Sequence, residues 1–222
     1  METNVIDTTN ILNVNGGPKD NAIYVNISER HKTFLWLWSK TGTTHMKNVL
    51  KYFGFQLYEI QNGVRTLHQP RIEQIHSCHL FEGHENYKLL ISARNPYSRF
   101  VSDYRFSSRP KIFDLKDFEK FLFERTQRDP RCYECSNFIN RKPDYWVRTE
   151  HMYEDYLKIP FIKDTDLVHS GLLEKMCSKK VNENPSERTW QDYYNQERAD
   201  LVFYNLRNYF EFFGYEKDSW KK

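Results

Sequence analysis

Two short runs in the sequence carry side chains suited to holding anions. The first is Ser39-Lys40-Thr41-Gly42-Thr43-Thr44. Lys40 brings a full positive charge on a flexible stem, and the threonines bring hydroxyl donors. Gly42 lets the backbone approach a bound group closely. The second run is Arg94-Asn95-Pro96-Tyr97-Ser98, with Ser102 eight positions after Arg94. A guanidinium presents a planar fork of donors that matches phosphate oxygens. The first run does not follow the Walker A pattern, because Lys40 precedes Gly42 and no glycine stands at the required upstream position. An ordinary strand-to-helix turn with a threonine cap satisfies the same hexapeptide.

Both runs sit where a strand is expected to feed a helix. Residues 34–38 (FLWLW) are an unbroken apolar stretch, too short for a helix and as rich in aromatic residues as a strand covered on both faces. Met46, Val49, Leu50 and Phe53 then recur at helical spacing. The first run therefore opens on a helix N-terminus, where unpaired N–H groups and the helix dipole favour an anion such as a phosphate. Residues 88–93 (KLLISA) predict a second buried strand ending at Arg94. Pro96 and Ser98 open a helix that runs to 106, with Phe100, Val101 and Tyr104 on its apolar face and Ser98 and Ser102 on a shared one. In a parallel sheet the two loops emerge at the same edge.

The fold class expected is α/β, with a central parallel sheet flanked by helices. Further strands are predicted at 22–27, as a short edge strand, at 55–60 and at 144–148. Helices are predicted at 114–125, 152–157 and 172–177, and a closing helix or helix pair at 190–213 ends before Gly214. A polar arm at 1–21 precedes a single domain spanning 22–222, a length that suits one core.

Composition narrows the function classes. The formal charge is +3, with 33 Lys and Arg against 30 Asp and Glu, so any basic site is local and no nucleic-acid surface is indicated. No apolar run approaches the ~20 residues that span a bilayer, and the N-terminus lacks a signal-peptide pattern. A cytoplasmic protein with reduced thiols is the expectation, since four cysteines beside a full-sized core do not make a disulfide scaffold. His76-Ser77-Cys78-His79 and Cys132-Tyr133-Glu134-Cys135 have the composition of metal ligands without a paired second half, so no metal site is assigned.

With both runs in view, the chain resembles sulfotransferases that use 3'-phosphoadenosine 5'-phosphosulfate. SKTGTT looks like their 5'-phosphosulfate loop, and LLISARNPYSRFVSDYRF looks like their 3'-phosphate motif. WVRTEHMYED and the stretch ending YFEFFGYE are weaker likenesses, the latter to the carbohydrate-type branch. The resemblance implies a P-loop-like three-layer architecture and no obligatory metal. It also implies that Ser39, Lys40, Thr41, Gly42, Thr43 and Thr44 bind the 5'-phosphosulfate, with Lys40 neutralising charge on the leaving phosphate. Arg94 and Ser102 would clamp the 3'-phosphate, with adenosine 3',5'-bisphosphate as product, and Arg188 is a candidate for a further basic contact. The acceptor is a hydroxyl, of a carbohydrate in preference to a phenol or another small molecule. The residue that takes its proton is His79, with Glu73 and His76 as alternatives, an imidazole titrating near pH ~6.5. Thr149 stands where the family commonly has a tyrosine, so no adenine contact is carried onto it. A P-loop kinase of a small metabolite and a non-catalytic nucleotide-binding protein of the same fold are the competing readings.

Overall fold

Strand β1 (Ile23–Ser28) and strand β2 (Thr33–Trp36) form an antiparallel hairpin in the middle of a six-stranded sheet. Strands β3 (Gln56–Gln61) and β4 (Val64–Leu67) extend it antiparallel on the β1 side. Strands β5 (Lys88–Ala93) and β6 (Tyr145–Arg148) extend it parallel on the β2 side. The order is β4-β3-β1-β2-β5-β6. The computed structural model describes residues 23–38, 40–61, 64–67, 86–107, 114–128, 143–179 and 188–221. The expected polar arm at 1–21 lies outside them.

The sheet is mixed, which corrects the expectation of a parallel one. Only residues 29–32 separate β1 from β2, and a link that short allows antiparallel pairing alone, a parallel crossover needing a dozen residues or more. For the same reason β1 is not an edge strand: it lies between β3 and β2.

The helices in chain order are α1 (Thr43–Leu50), α2 (Pro96–Ser107), α3 (Leu115–Arg128), α4 (Met152–Tyr156), α5 (Pro160–Lys163), α6 (Asp166–His169), α7 (Leu172–Ser178), α8 (Gln196–Asn205) and α9 (Arg207–Phe213). A 3₁₀ turn, Lys51–Phe53, continues α1, and another, Gln191–Tyr193, precedes α8. They fall into two compact units, one drawn from 1–93 and 143–181 and the other from 94–142 and 182–222.

In the first unit, side-chain alternation along the strands puts Leu35, Leu37, Leu90 and Val147 on one face of the sheet. There they share a core with Met46, Val49 and Leu50 of α1 and with Tyr156, Ile159, Ile162 and Leu173. The β6 to α4 turn is pinned by Asp155, whose side chain is 1% exposed. Arg148 Nε and Nη2 grip its two oxygens at 2.8 and 2.9 Å, and Lys158 Nζ adds a 2.7 Å contact. Burial alone would raise the Asp155 pKa, but the hydrogen bonds from Arg148 and Lys158 outweigh it and hold the carboxyl below its usual range.

The second unit is organised by aromatic rings. Tyr97 meets Tyr194 and Phe210 edge-on at 5.0 and 5.1 Å, and Phe118 meets Tyr193 and Tyr104 at 4.9 and 5.2 Å. Such T-shaped pairs set each ring's positive edge against its neighbour's negative face. Their hydroxyls are satisfied locally, Tyr97 donating to Lys217 O at 2.6 Å and Tyr104 to Asp117 Oδ2 at 2.9 Å. α9 stops at Gly214, whose φ of 71° is the left-handed conformation that ends a helix.

Candidate anion-binding site

The loop that follows β2 is held from the next strand. Ser92 lies two residues beyond Leu90 on β5, so it shares the face that carries α1. Trp38 N–H donates to Ser92 Oγ at 3.0 Å, and Thr41 Oγ1 donates to Trp38 O at 2.7 Å. Thr41 and Ser92 hydroxyls are also hydrogen-bonded to each other. Since the Thr41 proton is committed to Trp38 O, Ser92 must be the donor of that last bond. Trp38, Thr41 and Ser92 thus close a buried ring of hydrogen bonds in which each supports the others.

The ring leaves two residues in the left-handed region, Lys40 at φ 63° and Gly42 at φ 72°. For a lysine this backbone is uncommon, and such strain persists only where the surroundings impose it. Gly42 is also the N-cap of α1 and supplies no side-chain cap, and the first turn holds no acidic residue. The helix start therefore has no side-chain cap from Gly42, and a helix N-terminus of this kind favours negative charge. A Cβ on Gly42 would stand 2.5 Å from Met152 Cε and 3.3 Å from Thr149 Oγ1. Thr149 is anchored in turn by donating to Ala93 O at 3.0 Å.

The hexapeptide's side chains divide by burial. Thr41 and Thr43 are buried, while Lys40 and Thr44 are partly exposed. Thr41 spends its hydroxyl inside the ring. Ser39 lies outside the described residues. The next residue, His45, faces inward from α1 with Nε2 3.7 Å from Cys177 Sγ on α7. Burial lowers the His45 pKa, and burial followed by the Glu154 charge pushes the Cys177 thiol up to about 12. Both shifts favour the neutral forms of the two side chains, which pack against each other between α1 and α7.

In the second unit, Arg94 is fixed through backbone and side chain. Its N–H donates to Tyr209 Oη at 3.1 Å, and the same hydroxyl donates to Arg94 O at 3.2 Å. Arg94 Nε donates to Ser98 Oγ at 2.8 Å, and Ser98 Oγ donates to Asn95 O. Asn95 caps α2 by accepting from Tyr97 N–H at 3.0 Å, while its amide donates to Ser219 Oγ. Ser98 is thus a serine that holds the Arg94 guanidinium in place. Ser102 is half-buried one turn further along α2. Arg188 contributes its carbonyl, which accepts from Arg105 Nη2 at 3.0 Å.

Glu73, His76 and His79 lie outside the described residues, as do Cys78, Cys132 and Cys135. Among the described residues no group of three or more His, Cys, Asp or Glu is placed to hold a metal ion, and no helix is long and apolar enough to cross a membrane. No protein-family model, curated protein or solved structure matches the chain.

Proposed function

We propose that the chain is a sulfotransferase on a P-loop-like, three-layer sulfotransferase fold. It binds 3'-phosphoadenosine 5'-phosphosulfate and moves the sulfuryl group to an acceptor hydroxyl, with a carbohydrate as the favoured acceptor class. The observation that carries the reading is the hydrogen-bonded ring of Trp38, Thr41 and Ser92, which imposes left-handed backbone on Lys40 and Gly42 ahead of an uncapped helix. Arg94, braced by Ser98, follows Ser92 by two residues in the chain. A rigid anion loop and a fixed guanidinium are what a nucleotide phosphorylated at both its 5' and 3' positions calls for.

The residues then divide the reaction. Sulfuryl transfer needs in-line positioning and charge stabilisation more than covalent help from the protein. Backbone N–H groups at Gly42, Thr43 and Thr44, with the Thr44 hydroxyl, hold the 5'-phosphate. Lys40 meets the charge that grows on that phosphate as its bond to sulfur breaks, a contribution made chiefly in the transition state. Arg94 forks onto the 3'-phosphate, which ATP lacks, with Ser102 as its partner. His79, or else Glu73 or His76, takes the proton from the acceptor oxygen as that oxygen bonds to sulfur. The test is transfer of labelled sulfuryl from the donor to a panel of sugars and phenols. Label appearing in an acceptor, lost when Lys40 is replaced, supports the reading. A panel that stays unlabelled while ATP phosphorylates one of its members overturns it in favour of a kinase.

A further inference from the structure

Helices α3 and α8 border an open groove of about 830 Å³ within the second unit. Each helix lines it with residues at the same helical spacing: Lys116, Glu119, Lys120 and Phe123 from α3, then Glu197, Asp200, Leu201 and Tyr204 from α8. Residues so spaced form one stripe along a helix. Phe123 and Tyr204 stand at corresponding places and are 58% and 66% exposed, more than isolated surface aromatics need.

The two walls differ in charge. On α3 the lining has two lysines and one glutamate, and on α8 it has Glu197 and Asp200 with Arg198. Some of this is settled internally. Arg198 lies 3.7 Å from Glu119, and Asp200 accepts from Lys217 at 2.7 Å. Lys217 in turn lies 5.0 Å over the Tyr204 ring. Lys116 and Lys120 on one wall and Glu197 on the other make no ion pair among the described residues.

We propose that this groove is a self-association surface whose occupant is a second copy of the same chain. A twofold axis lying along the groove brings α3 of each copy onto α8 of the other, so the basic wall meets the acidic wall twice and the exposed aromatics cover each other. A twofold axis across the groove would set α3 on α3 and is opposed by like charge. The charge pattern thus selects one dimer geometry. The lining is well short of the roughly 20–30 residues per side of a standard interface, so the association is weak and belongs to the micromolar range.

Sedimentation velocity and light scattering across a concentration series up to about 100 µM test it, that being roughly where a micromolar dimer is saturated. The wild type is expected to shift from monomer to dimer. Lys116→Glu and Glu197→Lys should each weaken association by about tenfold or more, since each sets like charges opposite one another at both symmetric contacts. The two variants mixed should associate with each other, and the chain carrying both changes should recover self-association. Phe123→Ser, at an exposed position, should weaken it without loss of fold by circular dichroism. A wild type that stays monomeric throughout, or a dimer indifferent to both charge reversals, overturns the proposal.

Discussion

Replacing Gly42 by alanine separates two forces that the loop imposes on one residue. An L-residue in left-handed backbone costs about 1–2 kcal/mol, and Gly42 sits at φ 72°. The added Cβ would also stand 2.5 Å from Met152 Cε, and moving that flexible chain off its rotamer costs about 0.5–1.5 kcal/mol. The sum is a destabilisation of about 1.5–3.5 kcal/mol. Urea unfolding of Gly42→Ala, Met152→Ala and the double variant closes a cycle that isolates the second part. The double variant should be more stable than the two single losses added together, by about 0.5–1.5 kcal/mol. Binding of adenosine 3',5'-bisphosphate should fall in Gly42→Ala even where the fold is intact. Strict additivity, or an alanine variant as stable as the wild type, would refute the account of a loop held in left-handed backbone under Met152.

Three further outcomes follow from the same geometry. Ser92→Ala leaves Trp38 N–H without its acceptor and removes one of the two hydrogen bonds of the Thr41 hydroxyl in a buried ring, so a loss of about 1–3 kcal/mol in denaturant unfolding is expected, with weaker nucleotide binding. Asp155→Asn should cost about 3 kcal/mol, the lower end for breaking a buried pair because Lys158 is 65% exposed. The folded Asp155 pKa lies below its unfolded value, so its stabilisation is full above about pH 4 and is lost as pH falls through the folded pKa; the asparagine variant should lose that acid-side slope in unfolding measured against pH. Lys40→Ala should abolish most sulfuryl transfer in single-turnover assays yet still bind adenosine 3',5'-bisphosphate, and near-normal turnover would remove Lys40 from the mechanism.

The strands and helices that frame the two anion runs were legible because their apolar patterns are strong and bounded. KLLISA matches β5 residue for residue, and the pair of closing helices ends at Gly214 as expected. The pairing of β1 with β2 was not legible. Their connecting residues, Glu29-Arg30-His31-Lys32, contain none of the Gly or Asn-Gly signals that announce a hairpin, and Lys32 takes φ 45° without them. With the turn hidden, β1 reads as an edge strand and the sheet as parallel. The short α5 and α6 were missed because four-residue helices carry no periodic pattern. Ser92 was invisible as a site residue, since a serine inside an apolar strand gives no sign of what its hydroxyl will hold.

In the proposed reaction Arg94 reads the 3'-phosphate of the donor. Calorimetric titration of the wild type and of Arg94→Ala with adenosine 3',5'-bisphosphate, adenosine 5'-phosphate and ATP tests it most directly. The wild type should prefer the bisphosphate, and the substitution should weaken bisphosphate binding by about 1.5–3 kcal/mol while barely changing that of the 5'-phosphate. Equal losses for both nucleotides, or a wild type that binds ATP more tightly than the bisphosphate, would contradict it.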